Sequence, residues 1–211
     1  MNATSLRERK KQEVRTAISD AATRLFVDRG FDNVTVAEVA EAANVSTMTV
    51  FNHFQKKEDL FFDREGQLLA FAREAFAGLR QHESAIDVLH RLTHDVLQKK
   101  LAPTPQSLGF WDAVAKSASL RARAREMRDH GAENLAEVLA AAIGKPTPDA
   151  EARLIALHLV AAWQAALQEG IRLHREGAST AKTRNTIQRL LNRGLEAVSA
   201  AAAATPYERG H

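Results

Sequence analysis

The residues whose types and spacing promise chemistry lie close together, between Thr35 and Leu60. Thr47, Met48, Thr49, Phe51, Asn52 and His53 bring hydroxyl, apolar, amide and imidazole groups into one short run. Val50 and Phe54, spaced by four, would turn inward on a helix and leave the other six outward or lateral. That mixture suits base edges, thymine methyls and phosphates in a DNA major groove. Lys56 and Lys57 come next, where an ammonium and the free amides of a helix start can jointly hold a phosphate. Catalysis has far less to work with. The chain contains no cysteine, which removes disulfides, thiolate nucleophiles and zinc–thiolate sites. It also shows no nucleotide-binding glycine pattern and no motif-spaced acid–base set. The expectation is therefore a binding protein that is not an enzyme and needs no cofactor.

The elements that must position these residues can be read on either side of them. Thr35-Val36-Ala37-Glu38 is a capping box, in which a Thr and a Glu three residues on satisfy each other's free amides. It opens a helix over about 36–43 whose buried side is Val36, Val39, Ala40 and Ala43. Such a helix is too short to stand alone and must pack on neighbours. In Asn44-Val45-Ser46, Asn tolerates the positive φ that a tight turn needs, Val45 plugs the corner, and Ser46 caps a second short helix, Thr47–Phe54. Ala40 is small enough for the two helices to cross closely. The result is helix-turn-helix geometry. Upstream, a helix over Leu6–Arg29 buries Val14, Ile18, Ala21, Ala22, Leu25 and Phe26 and stops at Gly30. Its cations Arg7, Arg9, Lys10, Lys11 and Arg15 form a candidate arm over phosphates or the minor groove.

Thr35-Val36, Val39-Ala40, Ala43, Val45-Ser46, Thr49-Val50-Phe51, His53-Phe54, Lys57-Glu58 and Leu60 also carry a family likeness. Together with the first helix and its Phe26…Gly30-Phe31 exit, they resemble the DNA-binding signature of the tetracycline-repressor (TetR) family over about Arg9 to Leu60. Thr47, Met48, Thr49 and Asn52 are then expected to approach bases. Thr35, Phe51, His53 and Lys57 are expected to meet the backbone, with Ser46 completing the set. One position departs from the pattern. Phe51 stands where the family usually has tyrosine, so a phenol hydroxyl that would reach a phosphate is missing, at a cost of about 1 kcal/mol per half-site.

Composition sets the frame around this head. The chain has 211 residues, 45% hydrophobic and 26% charged, with a formal net charge of only +3, so it should fold and any basic surface must be local. Nothing at the N-terminus reads as a signal peptide, and the apolar stretch Leu154–Gln168 is short of a membrane span, so a cytoplasmic location with no membrane partner is expected. Helical periodicity continues to the end, over 56 or 57 to 81, Ser84–Lys100, Gln106–Lys116, Leu120–Ile143, Asp149–Glu176 and Ser179–Ala203. Pro103-Thr104-Pro105 and Gly144–Pro148 punctuate these segments, and Thr205–His211 reads as a frayed tail. The fold class is all-α: a three-helix head over residues 1–55 on a helical body over 56–211.

In the TetR family such a body dimerises and senses a small molecule. Trp163, Leu167, Leu190, Leu191, Gly194, Leu195 and Val198, from the last two helices, are the candidate dimer seam, with closure of the core of one chain as the lesser alternative. His90, His94, Phe110, Trp111, Arg121, His158, Ala162 and Trp163 are candidates for an effector site, being bulky or polar residues among small apolar ones. His90 and His94 have the spacing of a metal pair but no evident third ligand, so no metal is expected. Ser119–Arg123 and Asp149–Leu154 bear a loose similarity to acyl-CoA-sensing members, which implies an apolar or amphipathic effector. The resemblance thus implies a repressor that binds a palindromic operator as a homodimer and is released by its effector. A DNA-binding regulator answering to a partner protein, and an all-helical enzyme, are the alternatives.

Overall fold

A computed structural model describes residues 6–63, 65–80, 82–100 and 104–209, with the backbone alone at 65–68, 99–100 and 105–106. Among the described residues there are ten α-helices and no strand: α1 (Leu6–Arg29), α2 (Val36–Ala42), α3 (Thr47–His53), α4 (Lys57–Phe61), α5 (Glu65–Ala77), α6 (Ala85–Asp95), α7 (Pro105–Lys116), α8 (Ala118–Ala142), α9 (Ala150–Arg175) and α10 (Thr180–Ala202). One π-helical turn, Val96–Lys100, follows α6. The chain divides into two compact units. One takes in the chain as far as Glu65 together with Lys116–Arg123, and the other takes in Gly66–Ala115 and Ala124–His211.

In the first unit, α1 buries Ile18, Ala21, Ala22 and Phe26 along one stripe and packs on α2 and α4. Gly30, at φ 79°, lets the chain turn sharply out of α1. Phe26, Phe31 and Phe61 meet with ring centroids 5.1–5.9 Å apart in tilted and edge-on arrangements, which suit the aromatic quadrupole. The helix expected over 56 or 57 to 81 is broken here. Phe62 leaves the helix at φ −100°, ψ 28°, its ring is buried, and Asp63 is paired with Arg15. Aromatic burial and the ion pair outweigh the continuing helical periodicity, so α4 stays with the head and the head runs beyond residue 55. Gln81, where that helix was expected to end, and Pro103 of the first breaker lie outside the described residues.

The second unit is built on a large apolar cluster that includes Leu89, Leu139, Ile155, Leu195 and Val198, and a smaller one of Leu97, Leu108, Ala166, Ile187 and Leu191. The half-buried Trp163 packs against both. α9 and α10 lie together along much of their length. A Cβ at Gly194 would stand 2.2 Å from the Ala162 Cβ, so only glycine permits this approach. By length and composition α9 could cross a membrane, more than the shorter stretch Leu154–Gln168 suggested. Its buried residues Ala152, Ile155, Ala156, Leu159 and Ala166 instead make it a core helix of this unit.

Two expectations for the body are corrected. Leu191, Leu195 and Val198 are 1%, 4% and 0% exposed within a single chain, and Gly194 is pressed against Ala162, so these four residues close the core of one chain. Trp163, Leu167 and Leu190 are half-buried in the same chain. The exposed large apolar residues of α9 are Leu154 and Leu157. The tail is not frayed at Tyr207, whose side chain is fully buried. Its hydroxyl donates to Asp149 Oδ1 at 2.8 Å. Asp149 caps α9 by accepting the Ala152 N–H at 2.9 Å and pairs with Lys145. Burial alone would push the Asp149 carboxyl up, but Lys145, the Ala152 amide and the Tyr207 hydroxyl together bring it down to about 2. Gly210 and His211 lie outside the described residues.

Candidate nucleic-acid interface

The capping box forms as its residue types require. Thr35 Oγ1 accepts the Glu38 N–H at 3.2 Å, while the Glu38 carboxylate accepts the Thr35 N–H at 2.7 Å and the Thr35 hydroxyl at 2.8 Å. Arg29 donates to the other Glu38 oxygen at 2.7 Å. The Thr35 amide and hydroxyl, with Arg29 beside them, hold the Glu38 carboxyl down to about 2. Asn44 takes the turn at φ 52°, and the Val45 N–H closes it onto the Ala40 carbonyl at 2.9 Å. Ser46 Oγ accepts the Thr49 N–H at 3.0 Å and shares a 2.8 Å hydrogen bond with the Thr49 hydroxyl. Val50 and Phe54 are buried. Thr47, Met48, Phe51 and Asn52 are exposed, and Thr49 and His53 half-exposed, so α3 presents one continuous outward face. Thr35 and Ser46, both expected to touch DNA, have hydroxyls already engaged in capping.

The cations sort into two kinds. Arg7, Arg9, Lys10 and Lys11 are exposed on the first turns of α1 and remain available to a polyanion. Arg15, expected in the same arm, is a clamp instead. It donates to the His53 carbonyl at 2.9 Å, pairs with Asp63 and lies 4.2 Å from the Phe54 ring centroid. One side chain thus ties α1 to the end of α3 and to the exit of α4. Burial, with Lys11 and Arg15 nearby, lowers the His53 pKa and favours its neutral ring. Lys57 holds its ammonium 4.2 Å from the centre of the Phe31 ring, and its burial lowers its pKa. Two further contacts had no local signal in the sequence. Ser117 donates to Asp32 at 2.9 Å, and Arg123 lies 3.1 Å from Asp59. The second is an ion pair without hydrogen-bond alignment at these two atoms.

Residues 18–63 match the family model described as bacterial regulatory proteins, tetR family. Residues 18–63 are thus a TetR-type DNA-binding segment. It is 32% identical over 115 residues to an HTH-type transcriptional repressor of Mycobacterium tuberculosis, covering 51% of this chain and 60% of that one. The chain spans 60% or less of the length of the first curated relatives it matches. Among solved structures, a Mesorhizobium loti protein described as a TetR-family regulator superposes with a TM-score of 0.58 at 20% identity, over 95% of this chain and 98% of that one. Thermus thermophilus FadR, a TetR-family repressor in complex with lauroyl-CoA, does so with a TM-score of 0.52 at 26% identity, over 85% and 94%. All three are described as transcriptional regulators or repressors.

Each residue expected to line an effector site has its own local surroundings. His90 and His94 stand exposed on α6, with His90 Nε2 3.1 Å from Ser199 Oγ. His158 Nδ1 bonds the Leu154 carbonyl at 2.8 Å within its own helix. Arg121 is exposed, in the portion of α8 that belongs to the first unit. Ala162 is filled against Gly194, so enlarging it would part α9 from α10 and could not selectively block a cavity. Phe110 and Trp111 are half-buried and meet edge-on at 5.2 Å. Trp163 packs against both apolar clusters. A separate open depression of about 350 Å³ is lined by Ala115, Gln168, Ile171, Arg172, Arg175 and Glu176. None of these six was singled out from the sequence.

Proposed function

We propose that the protein is a cytoplasmic transcriptional repressor that binds a palindromic operator as a homodimer and leaves it when a small effector binds the body. The observation that carries this reading is the outward face of α3, with Met48 and Phe51 70% and 46% exposed beside Thr47 and Asn52, inside the segment that matches the TetR model. Thr47, Met48, Thr49 and Asn52 take the bases. Phe51, His53, Lys57 and the exposed Arg7, Arg9, Lys10 and Lys11 of α1 take the backbone. Two such helices about 34–36 Å apart fit successive major grooves of one duplex face. The effector acts through its differential affinity for two states of the dimer. Its class is apolar or amphipathic. The TetR neighbour that holds lauroyl-CoA and the two apolar clusters around Trp163 support an acyl-CoA thioester.

The test is selection of bound fragments from random duplex DNA, followed by release of the recovered operator. Acyl-CoAs of several chain lengths, the free thiol and the free acids are titrated against the complex. Recovery of a palindrome with release by one acyl-chain class is expected. Recovery of a palindrome that no acyl-CoA displaces removes the effector class alone, and recovery of no preferred sequence removes the repressor reading.

A further inference from the structure

We infer that Met48 reads the C5-methyl group of a thymine, making this side chain a determinant of operator sequence. The inference rests on the DNA-binding reading above and adds to it the group recognised. Met48 is the second residue of α3, and it is the N-terminal residues of a recognition helix that meet base edges. Its side chain is 70% exposed, and Phe51, three residues on and therefore on the same side of the helix, is 46% exposed. A thioether has no donor and is a weak acceptor, so Met48 cannot read the donor and acceptor code of the groove. Thymine methyl is the apolar group that base edges offer there. The polar alternatives at this end of the helix are partly committed. The Ser46 and Thr49 hydroxyls bond each other at 2.8 Å, and Ser46 Oγ also accepts the Thr49 N–H. An unbranched, flexible side chain adjusts its reach to a methyl without demanding one rotamer.

The experiment replaces each thymine of the selected operator, one symmetric pair at a time, by deoxyuridine. This removes the methyl and leaves every hydrogen-bonding atom in place. Wild type, Met48→Ala and Met48→Gln are compared, with circular dichroism confirming that each variant folds. For wild type, one thymine pair is expected to lose about fourfold per half-site, or about fifteenfold for both, the worth of one buried methyl each. In Met48→Ala and Met48→Gln that position becomes insensitive while any other sensitive thymine keeps its dip. Tight binding with no dip in wild type, or the same dip in both variants, overturns the inference and leaves the DNA-binding reading intact. Failure of wild type to select any duplex removes both.

Discussion

Arg15 changes role once its surroundings are known. Arg15 reads in the sequence as one more cation of an arm, yet it holds the His53 carbonyl, the Phe54 ring and Asp63 at once. Replacing it by alanine is expected to cost the head about 1–2 kcal/mol in denaturant unfolding, the combined worth of a charged hydrogen bond and a partly exposed ion pair. Lys10→Ala should leave stability unchanged and lower the salt dependence of DNA binding by about one phosphate contact. The reverse pattern, with Arg15→Ala stable but flatter in salt, would return Arg15 to the arm. Phe51 makes the complementary case. Its exposed ring lacks the hydroxyl usual in the TetR family, so Phe51→Tyr should tighten operator binding by about 1 kcal/mol per half-site, roughly fivefold. Equal affinity of the two proteins would mean that no phosphate lies within reach of this position.

Elements with their own start and stop chemistry were legible in the sequence. The capping box at Thr35, the positive φ at Asn44, the Ser46 cap and the Gly30 exit are local, so α1, α2 and α3 form within a residue of where their residues place them. What escaped depends on partners far along the chain. The break after α4 needs Arg15 to meet Asp63, forty-eight residues away, and no periodicity at Phe62 announces it. The settings of His90, His94 and His158 escaped for a related reason, because a histidine among apolar residues does not declare which side of its helix it occupies. The seam residues Leu191, Leu195 and Val198 were apolar in the right rhythm, but rhythm does not distinguish the core of one chain from a contact between two. The tail is the clearest instance. Tyr207 reaches back fifty-eight residues to Asp149 and converts an alanine-rich, polar ending into a clasp on the start of α9. Asp149 sits at about 2 in the fold against an ordinary 3.8, so its contribution is complete above that ordinary value and is lost as pH falls through about 2. Tyr207→Phe should therefore cost about 1–2 kcal/mol at neutral pH and move acid unfolding to higher pH, because the carboxyl loses a donor. Its deficit relative to wild type should narrow once Asp149 protonates. A deficit independent of pH would show that burial of the ring matters and the hydrogen bond does not.

At the scale of the whole molecule, operator binding by a dimer requires a self-complementary surface. With Leu191, Leu195 and Val198 spent inside one chain, the available apolar surface on α9 is Leu154, Leu157, Ala161 and Ala165. Leu157→Arg is expected to give a folded monomer by light scattering, with helix content retained because the side chain is 55% exposed. An intact dimer would place the seam elsewhere. Binding of the selected palindrome and of a shuffled duplex, measured by fluorescence anisotropy with stoichiometry from sedimentation, tests most directly whether the face of α3 is a sequence-reading DNA surface. Two protomers per palindrome and a preference over shuffled DNA of about a thousandfold or more are expected, with that preference collapsing in Asn52→Ala while the residual salt-dependent affinity remains. Equal affinity for the two duplexes, or no binding to either by a folded dimer, would contradict it.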